Sequence, residues 1–222
     1  MHWTDSLVIV FGLVTFGVEW MLLRVHGRNV DFSQTALNLS LGMIERLFAL
    51  LSLSFGLWLT TEMLGLRILD SIQPGWLNFL AAFIGVDLFW YLYHRISHRV
   101  SIVWVAHLVH HQPEEYNLSV NFANSPLGYF VRVLVYSPLV LFGIEPEYIV
   151  LANIINGFYQ ALLHSELWPA WVGLERFIVT PRYHQIQHSS ARAHLDKHYG
   201  GQLTPWDRMF GSYHDGREPV TY

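Results

Sequence analysis

Five histidines lie within 18 residues directly after an apolar segment, and this pattern constrains the chain more than any other. They occur in the stretch Asp87–His111, DLFWYLYHRISHRVSIVWVAHLVHH, with the spacings HxxxH and HxxHH. Residues i, i+3 and i+4 share one face of an α-helix, so each group can direct two or three imidazoles to one point. Neutral imidazole is the commonest metal ligand among side chains, and the stretch therefore predicts a polyhistidine metal site. The five are His94, His98, His107, His110 and His111.

The composition favours a membrane protein. Hydrophobic residues make up 52% of the 222 residues and charged residues 14%, against about 25% charged in an ordinary soluble domain. The net charge of −4 offers no basic surface for nucleic acid. Because there is no cysteine, any metal must be held by nitrogen and oxygen. The length suits one domain over residues 1–222.

Five apolar runs are long enough, or nearly long enough, to cross a bilayer. We expect an all-α integral membrane protein with four or five membrane helices. The last two runs would form either a spanning hairpin or a shallower re-entrant one. The runs are Ser6–Leu23, Leu47–Leu66, Trp76–Tyr93, Pro126–Ile144 and Tyr148–Leu163.

Arginines in the loops predict the orientation, since short loops rich in positive charge stay in the cytoplasm. Three arginines lie between the first and second runs, and two flank the end of the third. Both loops, and with them the histidine motifs, are therefore expected to face the cytoplasm. Residues 165–222 are richer in charge and proline and are expected to form a cytoplasmic helical cap. The arginines are Arg24, Arg28, Arg46, Arg95 and Arg99.

Histidines recur after the fifth apolar run. His164 ends that run, with Gln160 one helical turn earlier. In TPRYHQIQHSS, a threonine cap followed by proline predicts the start of a short helix. That helix would place His184, Gln187 and His188 on one side.

Other polar residues are candidates for ligands or for groups that orient ligands. Asp87 precedes His94 by almost two helical turns and is expected to hold a ligand imidazole through its second nitrogen. The alternative is a charge that lies at the membrane interface. The stretch ARAHLDKHYGG adds His194, Asp196 and His198.

The number of clustered histidines indicates two metal ions. A zinc ion takes three or four protein ligands, whereas eight histidines are clustered here. Imidazole suits iron, zinc, copper and nickel alike, so the spacing does not choose the element. A metal transporter would need ligands deep within the membrane helices, whereas these histidines lie at helix ends.

Four motifs in this order, HRISH, HLVHH, QALLH and PRYHQIQHS, resemble those of the fatty acid hydroxylase/sterol desaturase superfamily of integral-membrane di-iron oxygenases. The resemblance runs from about residue 87 to residue 213. It is strongest to the alkylglycerol monooxygenase branch, through HLVHHQPEEYNLS, YSPLVLFGIEPEY, YQALLHSEL and LDKHYGGQLTPWDRMFGSY.

The resemblance implies an oxidoreductase with two iron ions at the cytoplasmic end of a helical membrane bundle. Such an enzyme uses dioxygen and an electron donor to hydroxylate an unactivated C–H bond of a lipid, which is an ether lipid, a sterol, a fatty acyl chain or a carotenoid. In the alkylglycerol monooxygenase branch the donor is a tetrahydropterin. The implied ligands are His94, His98, His107, His110, His111, His164, His184 and His188.

Two positions depart from the pattern of the superfamily. The last motif normally reads HxxHH, and Gln187 stands where a histidine is expected. His198 stands where the superfamily has asparagine before Tyr-Gly. An amide oxygen ligates more weakly than imidazole, so one metal would be held more weakly, or His194 or His198 would replace the missing ligand. The alternative function is a catalytically impaired, metal-binding relative with a structural or regulatory role.

Overall fold

The structure, a computed structural model, describes residues 3–28, 30–51, 53–168, 173–216 and 218–222. For residues 3–13, 51 and 53 it describes the backbone alone. The described residues form α-helices and short 3-10 helices but no β-strand, and one isolated bridge joins Ile178 and Leu203. The all-α prediction is confirmed.

The α-helices are numbered in chain order. They are α1 (Trp3–Val25), α2 (Phe32–Leu51), α3 (Leu53–Gly65), α4 (Gly75–Arg99), α5 (Ser101–His107), α6 (Pro126–Tyr136), α7 (Pro146–Leu163), α8 (Pro181–His188) and α9 (Pro205–Met209). The 3-10 helices are Leu108–His111, Leu118–Phe122, Ser137–Phe142, Leu174–Arg176 and Arg192–His194.

Proline begins four of these helices, α6 to α9, because its fixed φ and missing N–H suit the first helical position. At α6 the Ser125 hydroxyl also accepts a hydrogen bond from Leu127 N–H at 3.3 Å. The predicted start of α8 at Pro181 is confirmed. The predicted threonine cap there is wrong, because the Thr180 hydroxyl donates to Glu175 Oε1 at 3.1 Å instead.

The centre of the fold is the contact between α4 and α7. Ala82 and Val86 of α4 are fully buried against Ala152 of α7, and such small side chains let the helices approach closely. Leu139 and Val140, from the 3-10 helix after α6, complete this core. Both α4 and α7 carry histidines at their C-terminal ends, so their packing positions the metal-binding motifs.

Among the described residues, one helix, α4, is long and apolar enough to cross a membrane, and it contains the predicted run Trp76–Tyr93. α2 and α3 meet the requirement only as a pair bent by 52°, so the run Leu47–Leu66 does not form one continuous helix. The run Pro126–Ile144 is also divided, into α6 and the following 3-10 helix. Pro138 lacks the N–H that a continuing α-helix needs there.

The first and fifth runs each lie within one helix. Tyr148–Leu163 occupies most of α7. Ser6–Leu23 lies within α1, but the side chains of residues 6–13 lie outside the described part of the structure. The number of membrane helices therefore stays a prediction.

Buried charges connect the outer helices to this centre. Glu45 of α2 forms an ion pair with Arg132 of α6, and both side chains are largely buried. Glu19 of α1 accepts a hydrogen bond from Leu118 N–H at 2.7 Å. A buried charge is costly unless it is paired, so these contacts fix which faces of α1, α2 and α6 turn inward.

Two buried carboxylates fix the segment between α8 and the C-terminal residues, and one of them belongs to α4. Asp87 accepts hydrogen bonds from Gln202 N–H at 2.6 Å, from Leu203 N–H at 3.1 Å and from Trp206 Nε1–H at 2.8 Å. A Cβ atom at Gly201 would lie 2.8 Å from Asp87 Oδ1, so the close approach requires glycine. In the same segment, Asp207 binds the backbone N–H groups of residues 199 and 200.

We predict that Asp87→Asn destabilises the fold by about 1–3 kcal/mol, because the amide cannot accept all three bonds and turns an N–H toward a donor. The measurement is the midpoint of thermal unfolding, with Asp70→Asn as the matched control at an exposed position. An equal, small change in both variants would show that the carboxylate does not hold the segment.

Candidate metal centre

The histidines of the four motifs converge where the ends of α4, α5 and α7 meet α8. They form two groups, and within each group the four candidate ligand nitrogens all lie within 4.8 Å of one another. Cluster A consists of His94, His98, His107 and His111. Cluster B consists of His110, His164, His184 and His188.

The HLVHH motif is divided between the clusters. The chain changes from α5 to a 3-10 helix after His107. His107 and His111, four residues apart, both face cluster A, with 3.2 Å between their Nε2 atoms. His110 faces cluster B, and its Nε2 lies 3.1 Å from His164 Nε2. The ring centroids of His107 and His110 are 5.3 Å apart, so the two clusters are neighbours.

Helix α8 is divided in the same way. His184 and His188 face cluster B, and His184 Nε2 lies 3.0 Å from His164 Nε2. Gln187 faces cluster A, where its Nε2 lies 3.0 Å from His94 Nε2. Gln187, which departs from the family pattern, therefore lies beside the histidines of cluster A. The two histidines of α8 both lie in cluster B.

The spacing of the ring nitrogens fits bound metal ions. Two nitrogens bound to one ion at about 2.1 Å lie roughly 3 Å apart. The Nε2 atoms of His164 and His184 are 3.0 Å apart, and His188 Nε2 is buried without a hydrogen-bond partner. In the tautomers that present both lone pairs inward, one metal ion can accept both nitrogens at this distance. The donor set suits iron, zinc, copper and nickel.

Backbone carbonyls orient two of the rings. His94 Nδ1 lies 3.1 Å from the carbonyl oxygen of Tyr199, and His164 Nδ1 lies 2.7 Å from that of Gln160. A carbonyl only accepts, so both Nδ1 atoms carry the proton and both Nε2 atoms present a lone pair to their cluster. This hydrogen bonding is the usual support of a metal-bound histidine.

Burial keeps the histidines neutral. The pKa of His110 falls to about 4, chiefly because desolvation disfavours the imidazolium. Desolvation also lowers the pKa of His107, His111, His184 and His188, and neighbouring imidazoles lower these pKa values further. These rings are therefore neutral at pH 7, which is the state that binds metal.

Asp87 and Gln160 both act on the clusters through the segment after α8. The Asp87 carboxylate accepts hydrogen bonds from residues 202, 203 and 206 and from no described imidazole, which differs from the predicted hydrogen bond to a ligand imidazole. It holds the loop whose Tyr199 carbonyl orients His94. The Gln160 side chain donates to the Gly201 carbonyl at 2.7 Å, while its own carbonyl orients His164.

The candidate ligands that follow α8 in the chain, His194, Asp196 and His198, lie outside both clusters. His198 Nε2 lies 2.7 Å from the His214 carbonyl, and His194 belongs to neither cluster A nor cluster B. Asp196 pairs with Arg99 at 3.4 Å. In the described structure, therefore, neither His194 nor His198 replaces the histidine that is absent at position 187.

A third group, His194, His214 and Glu218, also brings ligand atoms within 4.8 Å. The Gly216 N–H donates to His214 Nδ1 at 3.0 Å, so the proton of a neutral His214 ring lies on Nε2. That nitrogen faces Glu218 at 3.4 Å. With its Nδ1 lone pair used by Gly216 and its Nε2–H directed toward a carboxylate, this neutral ring presents no free lone pair to a metal ion.

Several residues around the clusters were not predicted. The Tyr116 ring stacks on His164 with 5.7 Å between centroids, and the Trp104 ring lies 5.1 Å from His98. Tyr199 contributes through its carbonyl, which no side-chain pattern could reveal. Asp207 and Tyr116 lie inside PWDRMFGSY and EEYNLS, two stretches that resemble the alkylglycerol monooxygenase branch. That resemblance was the one sequence feature that could have identified them.

A family model described as fatty acid hydroxylase matches residues 79–212. This range is more than half of the chain and contains both histidine clusters and the Asp87 contacts. The chain belongs to the fatty acid hydroxylase family. Within the family, the predicted similarity to alkylglycerol monooxygenases is confirmed by the relatives.

Alkylglycerol monooxygenase of Danio rerio is 34% identical over 217 residues, which are 95% of this chain and 47% of that protein. The Homo sapiens protein of the same name is 38% identical over 142 residues, 64% of this chain and 32% of that protein. Ornithine lipid hydroxylase OlsE of Rhizobium tropici is 25% identical over 134 residues, 58% of this chain and 39% of that protein. The chain thus spans half or less of the length of these relatives. No solved structure matches it significantly.

We predict that His98→Ala and His184→Ala each reduce the bound metal by about one ion per chain, because each removes one of four ligands from a different cluster. The measurement is elemental analysis of purified protein after loading with iron. His26→Ala, at an exposed position near the end of α1, is the matched control. Full metal content in either cluster variant would contradict the ligand assignment.

Proposed function

We propose that the protein is a membrane-bound lipid hydroxylase that holds one iron ion in each histidine cluster. The observation that carries this proposal is the pair of adjacent four-histidine clusters in a member of the fatty acid hydroxylase family. The names of the relatives, alkylglycerol monooxygenase and ornithine lipid hydroxylase, support a lipid as the substrate and dioxygen as the oxidant.

Bound iron would supply the activation of dioxygen that an unreactive C–H bond requires. In the overall reaction, one oxygen atom enters the C–H bond to give C–OH. The other leaves as water, with two electrons from an external donor and two protons. The chain itself supplies neutral imidazoles, their orientation by the Tyr199 and Gln160 carbonyls, and burial that limits access of water.

The outer surface supports a membrane location. Large apolar side chains are exposed along the outer faces of several helices, among them Met43 at 73%, Trp58 at 56%, Trp76 at 65% and Val150 at 58% exposure. Soluble monomers rarely expose contiguous apolar surface on this scale, whereas lipid would cover it. The proposal includes four or five membrane helices, with the histidine clusters at the cytoplasmic face, as the arginines that flank the predicted apolar runs indicate.

Two cavities support an amphiphilic substrate. A cavity of about 360 Å³ is lined by charged groups including Arg28, Glu115 and Glu166, and Tyr116 separates it from cluster B. A second cavity of about 200 Å³, also beside α1, is lined mainly by apolar side chains such as Leu162. A lipid has a polar head group and an apolar chain, which match these two linings. An alkylglycerol is the first candidate, with a tetrahydropterin as the electron donor.

The second candidate function is a metal-binding relative without catalytic activity, which the amide at position 187 favours. Cluster A nevertheless retains four histidines without Gln187, so the loss of the expected histidine leaves a full set of imidazoles for one ion. The arrangement of the clusters therefore favours the enzyme.

We predict that His110→Ala or His184→Ala lowers lipid hydroxylation by more than about 100-fold, because each removes a ligand of cluster B. His26→Ala is expected to retain activity. The assay measures oxygen consumption and hydroxylated product from alkylglycerol and from a total lipid extract, with reduced pterin as the donor. Untargeted lipidomics of cells with and without the protein identifies other substrates.

Two outcomes would overturn the proposal. Activity that survives complete removal of metal by a chelator would exclude an iron-dependent oxygenase. Equal activity of the three alanine variants would exclude cluster B as the reaction site. A protein that binds two metals but turns over no lipid, even after Gln187→His, would support the structural or regulatory alternative.

A further inference from the structure

One side chain other than histidine lies among the ring nitrogens of cluster A. The Gln187 Nε2 atom is 2.7 Å from His98 Nε2 and 3.0 Å from the Nε2 atoms of both His94 and His111. Gln187 is buried in the last turn of α8. Three ring nitrogens from two other segments of the chain thus converge on a single amide group.

The Gln187 amide nitrogen occupies a point between three ring nitrogens, where a metal ion would bind. The Nδ1 atom of His94 donates to the Tyr199 carbonyl, so its Nε2 presents a lone pair to the amide. An amide NH₂ group has two hydrogens, fewer than the three ring nitrogens that surround it. Imidazole nitrogens that converge on one point in this way are the arrangement that binds a metal ion.

Gln187 presents its non-ligating atom to that point. An amide nitrogen offers no lone pair to a metal, whereas the amide oxygen does. The Gln187 Oε1 atom is buried and has no hydrogen-bond partner. A half-turn of the amide exchanges the two atoms, which breaks the N–H···N hydrogen bonds and directs the oxygen toward a bound ion. Cluster B consists of four histidines.

We propose that clusters A and B are unequal metal sites, of which cluster A binds more weakly because Gln187 hydrogen-bonds its metal-free form and joins the metal-bound form through the amide oxygen. This rests on the proposed function, which requires metal in both clusters. When metal is scarce, the protein carries one ion, in cluster B. Loading of cluster A, and with it activity, then follows the free metal concentration.

The test is a titration of chelator-stripped protein with Co²⁺, whose visible absorption reports the ligands around it. The unchanged protein should bind two ions in separate phases, with affinities that differ by roughly tenfold or more. His184→Ala should remove the tight phase and leave the weak one. His98→Ala should remove the weak phase and leave the tight one.

The role of Gln187 is tested by two replacements that ligate directly. Gln187→His and Gln187→Glu should each raise the affinity of the weak phase by roughly tenfold or more and leave the tight phase unchanged. Using both keeps the test decisive if one variant fails to fold. Gln73→His, in the exposed loop before α4, is the matched control and should change neither phase.

The outcomes separate this inference from the proposed function. Two equal phases in the unchanged protein, or loss of the tight phase in His98→Ala, would overturn the inequality and leave the two-metal site intact. A weak phase that neither Gln187 variant alters would overturn the role of the amide. Failure of every form to bind Co²⁺ would overturn the proposed function as well.

Discussion

Eight neutral imidazoles lie together at one end of the bundle, five of them buried and three half-buried, and the surrounding segments are arranged to hold them. The tautomer of each ring decides whether a lone pair or an N–H faces the cluster, and a hydrogen-bond partner behind the ring can fix that tautomer. The carbonyls of Tyr199 and Gln160 fix two rings. Asp87 and Asp207 in turn hold the loop that carries the Tyr199 carbonyl. The segment after α8 is thus a structural part of the metal centre.

The division of the motifs between two clusters couples the positions of the two candidate metal sites. Both HLVHH and the α8 motif supply side chains to both clusters, so a shift of either segment moves ligands of two ions together. α4 contributes to cluster A alone and α7 to cluster B alone. The tight packing of α4 on α7, through Ala82, Val86 and Ala152, therefore sets the distance between the two sites.

The periphery has a different physical character from the metal centre. The outer faces are apolar and exposed, while three ionisable side chains of α1, α2 and α6 point inward, where Glu45 meets Arg132 and Glu19 meets the backbone at Leu118. In the proposed membrane location lipid would cover the apolar faces, and the buried ion pair specifies which face of α2 packs against α6. A polar cavity beside Tyr116 and an apolar cavity beside Leu162 lie at the junction of these two regions.

Apolar runs and i, i+4 spacing are local properties of the chain, so they were enough to predict the helical class and the eight candidate histidines, and the order of the motifs indicated the family. The sequence also located α4 and most of α7. The packing of the helices was needed to show that α2 and α3 meet at a bend, that His110 faces away from the cluster of His107 and His111, and that Asp87 holds a loop. Spacing along the chain shows which side chains share a helix face. The packing of the helices decides which cluster that face lies against. For the same reason, only the structure placed Gln187 at the centre of cluster A.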